Sequence, residues 1–330
     1  MRPVYEKDIL YDILVPYVNW SFRRVFRSLE FKGVENIPED GAVIFSPNHV
    51  NTLLDALAVL AMRENRPVVF AARADIFRKP LVAKILNFLR IVPINRIRDG
   101  VDALAGNEQT FHTAIHTLQA GIPFCIFPEG RHSQDPGLLP LRKGIARIAL
   151  QAVDEIEGPV YIVPIGLVYD DYVNFRTDLT INVGEAVLVA RGRSKKTQTE
   201  PERQRKARKL LVKLTTKMKA LIDTRRDKPV RDSLLLRTLR IPLVPFAALL
   251  LLPAFGIVKY LAKNMKDKAF LNSVRYGICY LINPVIIFLL SVLLVVAGLI
   301  PWWLILLLPI LSAFAPEIWY GAMTKRVASN

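Results

Sequence analysis

A chain of 330 residues with 45 Lys+Arg against 29 Asp+Glu has room for one sizeable α/β domain plus further elements, and its net charge of +16 requires anionic surroundings. Only two cysteines occur, so a disulfide scaffold is excluded. Neither an aromatic RNA-reading pattern nor zinc-finger spacing is present, so no nucleic acid is expected as partner.

Residues 4–30 read as an amphipathic helical region, with Ile9, Leu10, Ile13, Leu14, Tyr17 and Val18 forming an apolar stripe. Trp20 and Phe22 follow beside Arg23, Arg24 and Arg27, a mixture that suits the lipid interface as well as a helix packed on a core. Arg2, Glu6, Lys7, Asp8 and Asp12 interrupt any apolar run, so no secretory signal is expected and the catalytic part is placed on the cytoplasmic side. After turn chemistry at 36–41, the compact run Ala42–Ser46 predicts a buried strand. Further strands are predicted at 67–72, 91–94, 122–127, 160–165 and 179–183, with helices over 52–63, 78–90, 102–119 and 141–153. Strands alternating with helices predict a mixed sheet covered by helices, with chemistry gathered at strand ends.

Thr199 and Glu202 have capping-box spacing at the head of a helix over 199–222, whose Leu210, Leu211, Leu214, Met218 and Leu221 share a face. Residues 191–231 hold sixteen Lys/Arg and four Asp/Glu directly before the most apolar part of the chain, which favours a membrane surface over nucleic acid. The 41 residues of 276–316 contain no charged side chain, about two bilayer crossings at roughly 1.5 Å per residue. Gly298, Pro301, Trp302 and Trp303 interrupt that stretch, so a transmembrane helical hairpin is expected. The earlier apolar stretch 241–258 contains Pro242, Pro245 and Pro253 between two cationic flanks and is expected to be re-entrant or interfacial. The expected organisation is thus 1–32 at the membrane interface, 33–190 an α/β domain, 191–232 a basic amphipathic helix and 233–330 in the membrane.

Four short segments carry the chemistry: Asn48-His49 with Asp55, Pro93-Ile94-Asn95-Arg96, Phe127 through Ser133, and Val163-Pro164-Ile165. An imidazole with an ordinary pKa of about 6.5 takes a proton near neutral pH, and a carboxylate can orient it. Six helical steps would put His49 and Asp55 on different faces, so His49 must lie in the loop before the helix, with Asn51 or Thr52 as N-cap. Read alone, Thr52-x-x-Asp55 is also capping-box spacing. Glu129 and Gly130 end a strand and begin a turn where backbone can approach a ligand closely, and Glu129 can hold a hydroxyl or a neighbouring arginine. His112 and His116 share a helical face without the Glu of a zinc motif or a third ligand, so no metal site is expected.

In this order the segments resemble the glycerolipid acyltransferase family over roughly residues 33–190. The resemblance implies transfer of a fatty acyl chain from a thioester, acyl-CoA or acyl carrier protein, to a glycerol phosphate, with the thioester as co-substrate and no cofactor. It implies His49 as general base and Asp55 as its support, with Arg96, Glu129, Gly130, Arg131 and Lys143 around the substrate phosphate. Five residues separate His49 from Asp55 where most of the family has four, a spacing similar to the fungal-type branch acting on glycerol 3-phosphate or dihydroxyacetone phosphate. Arg131 follows Gly130 directly, where the usual pattern places a Thr between them. The rival readings are a lysophosphatidate acceptor and, outside enzymes, a basic membrane-anchored lipid-binding scaffold.

Overall fold

The computed structural model describes residues 2–95, 107–133, 137–191, 199–223, 238–263, 265 and 270–323. Helix α1 (Ile9–Val25) starts at Asp8, whose carboxylate caps the Tyr11 N–H at 3.1 Å. It packs inward through Tyr11, Val15 and Phe22 and leaves Ile9, Leu10, Ile13 and Leu14 exposed, so the apolar stripe is shared between the core and the outer surface. The helix stops at Val25, and residues expected to continue it form strand β1 (Ser28–Lys32). Leu29 and Phe31 alternate with polar residues there, and β1 pairs in parallel with β7 (Asp178–Val183). The N-terminal 1–32 region therefore contributes a strand to the sheet as well as a helix.

The remaining strands are β2 (Ala42–Pro47), β3 (Val69–Arg73), β4 (Ile91–Ile94), β5 (Phe124–Cys125), β6 (Pro159–Tyr169) and β8 (Val187–Arg191). The order is β1-β7-β6-β2-β5-β3-β4, with β8 also on β6. Strands β6, β2, β5, β3 and β4 run parallel, whereas β7 and β8 pair antiparallel with β6. The C-terminal ends of five parallel strands therefore share one edge, and the loops carrying His49, Glu129 and Asn95 all leave from it.

Both faces of this mixed sheet are covered, as a parallel sheet requires. Helices α2 (Leu53–Met62) and α1 lie on one face, against Val43, Phe45, Val163, Ile165 and Leu167. On the other face, α4 (Asn107–Gln119), α5 (Gly144–Glu155) and α6 (Glu200–Ile222) cover Ala42, Ile44, Val160 and Ile162. Helix α3 (Pro80–Phe88) bridges β3 and β4 at the edge. The basic helix α6 has its Thr199–Glu202 capping box and buries Leu210, Leu214 and Met218. Its last turn sits so close to β6 that only a residue without a side chain fits beneath it, at Gly166.

The apolar C-terminal part forms α7 (Val244–Lys263), α8 (Leu271–Tyr276), a π-helical turn (Gly277–Ile282), α9 (Asn283–Val296) and α10 (Leu304–Met323). Three stretches are long and apolar enough to cross a membrane: Thr238–Lys263, Leu271–Val296 and Leu304–Met323, with mean hydropathies of 2.3, 2.7 and 1.6. The second and third meet at Gly298, in the left-handed region at φ 69°, with Trp302 and Trp303 exposed at the tip. The stretch 241–258 does not fold back on itself: it lies in one continuous helical run. Pro242 and Pro245 fall in the opening turns, where no N–H is needed, and Pro253 is inside. Glu317 on α10 ties these helices to the sheet domain, pairing with Arg24 of α1, with Arg176 at 3.5 Å and with Arg240 at 3.4 Å.

A Cβ at Gly166 would lie 2.8 Å from the Cβ and the carbonyl oxygen of Leu221. Gly166→Ala should therefore lift the end of α6 and destabilise the domain by about 1–3 kcal/mol, read as a lower thermal midpoint.

Candidate active site

Strand β2 delivers Asn48 and His49 to the shared edge. Asn48 is locked onto β6, donating from Nδ2 to the Leu167 carbonyl at 3.1 Å and accepting the Leu167 N–H at 2.6 Å. His49 follows in the loop, as the spacing requires, and its Nδ1 lies 2.8 Å from Oδ2 of Asp55 in the first turn of α2.

Asp55 is completely buried and has four donors. Oδ2 accepts His49 Nδ1–H, the Val50 N–H at 2.8 Å and the Asn51 N–H at 2.7 Å, while Oδ1 accepts the Tyr169 hydroxyl at 2.7 Å. The carboxylate thus does not simply cap its own helix; it gathers the preceding loop around itself. A carboxylate only accepts, so the proton of the ring stays on Nδ1 and the lone pair on Nε2. Burial, with Asp55 beside it, pushes the Tyr169 phenol well above its ordinary value, so it remains a donor.

Phe127 stacks on the His49 ring with centroids 4.2 Å apart, and His132 stands edge-on at 5.9 Å. The turn after β5 is fastened to the His49 loop by Glu129, which accepts the His49 N–H at 2.8 Å and the Leu139 N–H at 3.1 Å. Both carboxylate oxygens of Glu129 thus engage backbone, so this residue shapes the loop. The Ser133 N–H adds a bond to the His49 carbonyl at 3.0 Å. Gly130 has φ 69°, the left-handed region that favours glycine. Arg131 is exposed beside it, and exposed Lys143 immediately precedes α5. The Arg142 N–H donates to the Pro128 carbonyl at 2.7 Å, bringing the segments of Arg131 and Lys143 together. Arg96 lies outside the described residues; Asn95 before it is held by Asn107 through its N–H at 2.7 Å and its carbonyl at 3.0 Å.

Val163-Pro164-Ile165 lies mid-strand in β6, buried beneath α2 and α6, with the Ile165 carbonyl accepting the Asn48 N–H at 3.3 Å. The sequence reading missed Tyr169. Its signal was parity, since Val163, Ile165 and Leu167 face α1 and α2, and the next odd position belongs on that side.

Residues 28–168 match the Acyltransferase family model. The chain is 28% identical over 127 residues to the chloroplastic 1-acyl-sn-glycerol-3-phosphate acyltransferase BAT2 of Brassica napus. It is 36% identical over 84 residues to glycerol-3-phosphate O-acyltransferase 2 of Saccharomyces cerevisiae. These matches span 38% and 25% of this chain, and only 34% and 11% of the relatives. Among solved structures, PlsC, the 1-acyl-sn-glycerophosphate acyltransferase of Thermotoga maritima, aligns at TM-score 0.44 and 20% identity, covering 68% of this chain and 86% of that one.

Burial raises the Glu129 carboxyl above its ordinary 4.5, against the lowering pull of its two backbone N–H bonds. The folded state therefore binds more protons than the unfolded one just above pH 4.5, and this contribution to stability is lost as pH rises through the raised value. Glu129→Gln should flatten that part of the curve, read as a smaller change in thermal midpoint across mildly acidic pH.

Proposed function

We propose that this chain is a glycerol-phosphate O-acyltransferase that transfers a fatty acyl chain from acyl-CoA or acyl carrier protein to glycerol 3-phosphate or dihydroxyacetone phosphate. The bond between His49 Nδ1 and buried Asp55 carries the reading, because it leaves Nε2 as a base at a strand-end loop rich in cations. Nε2 takes the acceptor's hydroxyl proton as its oxygen attacks the thioester carbonyl. The tetrahedral adduct then expels the thiolate, which recovers the proton from Nε2. Asp55 stabilises the imidazolium formed between the two steps. A thioester is already activated, so the scheme uses no metal or other cofactor. Arg131, Lys143 and, by its place two residues past β4, Arg96 hold the acceptor's phosphate beside the bare turn at Gly130.

The small acceptor is supported by the five-residue His49–Asp55 spacing and by the similarity to the yeast glycerol-3-phosphate enzyme. A lysophosphatidate acceptor is the second reading, supported by the longer match to the Brassica protein. Membrane lipids are the remaining partner: exposed Ile9, Leu10, Ile13 and Leu14 of α1 enter the interface, and the apolar helices anchor the chain with its catalytic domain on the cytoplasmic side.

Purified protein given labelled glycerol 3-phosphate and an acyl thioester should form a monoacyl product; activity confined to lysophosphatidate selects the second reading. His49→Ala should cost about 10²–10⁴-fold in rate, and Asp55→Asn less. Arg131→Ala or Lys143→Ala should raise the acceptor's KM more than the thioester's, by the loss of a charge-assisted contact of about 1.5–3 kcal/mol. Near-normal turnover by His49→Ala would sink the mechanism. Cys125 and Cys279 are buried, so a cysteine at Trp303 can be labelled selectively; reagent should reach it only from the side opposite the catalytic domain.

A further inference from the structure

The backbone between His49 and Asp55 is constrained at one residue. Thr52 adopts φ 47° and ψ −114°, a conformation that suits glycine and that a β-branched residue adopts only under constraint. Thr52 precedes α2 in the N-cap position, yet its hydroxyl does not cap that helix. It instead shares a 2.5 Å hydrogen bond with Ser273 Oγ, 221 positions further along the chain. The same Ser273 oxygen accepts the Leu53 N–H at 3.2 Å and so does from a distance what an N-cap side chain does locally.

The neighbours of Ser273 close over the same loop. Asn272 Nδ2 donates to the Tyr172 carbonyl, which also accepts Asn51 Nδ2 at 3.3 Å. Arg275 donates to the Val173 carbonyl at 3.0 Å. Phe270 meets His132 at 5.2 Å, and His132 in turn stands against His49. Thr52, Asn272 and Ser273 are all buried, so water does not readily replace these contacts. Residues 271–275 open the second membrane-length helix, Leu271–Val296.

We propose that Ser273 is a positioning residue for the His49–Asp55 pair. It holds Thr52 in the left-handed region, and this keeps the loop short enough for His49 Nδ1 and the Val50 and Asn51 N–H groups to meet one carboxylate oxygen. The catalytic loop is therefore set by the seating of a membrane helix on the domain. This rests on the reading of His49 as the base.

The test compares Ser273→Ala, Thr52→Gly and the double variant in the full chain, in detergent micelles. The readouts are the downfield proton resonance of the hydrogen-bonded His49 Nδ1–H, recorded without substrate, and kcat and KM for the acyl transfer. Ser273→Ala should weaken or abolish the resonance and lower kcat about tenfold or more, with little change in either KM. Adding Thr52→Gly should restore both, because glycine holds that backbone without help. A serine that only packs the helix would not be rescued by a change at position 52, so failure of rescue overturns the proposal, as does an unaltered Ser273→Ala. If Ser273→Ala does not fold, the double variant decides alone: the resonance present supports the proposal and its absence overturns it. Because the resonance needs no substrate, a chain that acylates no glycerol phosphate would defeat the proposed reaction and leave this test standing.

Discussion

Burying an ionised carboxylate costs several kcal/mol unless its oxygens are fully engaged, and Asp55 is engaged by four donors, three from residues 49–51 and one from Tyr169. At about 1.5–3 kcal/mol for each hydrogen bond to a charged group, those bonds are of the size needed to offset the desolvation. Removing any one donor leaves a buried charge short of a partner, so the local geometry is closely constrained. The loop 49–52 must fold back over the start of α2, β6 must extend far enough to bring Tyr169 alongside, and Asn48 must clamp β2 to β6. The chemistry that results is a consequence of this satisfaction: the acceptor-only carboxylate selects the ring tautomer and exposes the basic nitrogen.

The same requirement reaches across the molecule. Glu129 ties the turn after β5 to the backbone of His49, so that turn and the His49 loop are parts of one hydrogen-bonded unit. Ser273 ties the beginning of α2 to the membrane part. Glu317, with arginines from α1, from the loop before β7 and from the head of the first membrane-length helix, fastens α10 to the domain. Membrane helices and sheet consequently share one continuous core, in which Leu251, Ala254, Cys279 and Tyr280 pack with Phe22, Leu54 and Phe175. In the proposed enzyme, such a joint would place the site at the boundary where a water-soluble phosphate ester and a fatty acyl chain meet.

Much of this was legible in the residues. The strands at 42–46 and 91–94 announced themselves by short apolar runs, and the helix at 199–222 by its cap and its period. The spacing argument placed His49 in the loop and Asp55 on the helix, as observed. The strand at 28–32 was hidden because it follows a strong amphipathic helix without a break in polarity; its identity depends on pairing with β7, 150 positions away. Pro242, Pro245 and Pro253 read as interruptions, but two fall where a helix has no N–H to lose.

By itself the sequence determined the periodicities, the apolar helices and the list of groups able to hold a proton or a phosphate, because these follow from residue type and local spacing. Only the tertiary structure decided which groups share a hydrogen bond. The parity of β6 gave the face of Tyr169 but not its partner, and Ser273 had no local signal at all: one reaches Asp55 from 114 positions away and the other reaches Thr52 from 221. Nothing local to Glu129 announced the two backbone N–H groups that the fold supplies to its carboxylate. Hydrogen bonds are satisfied in space, and a buried polar atom takes whichever partner the packing brings within about 3 Å.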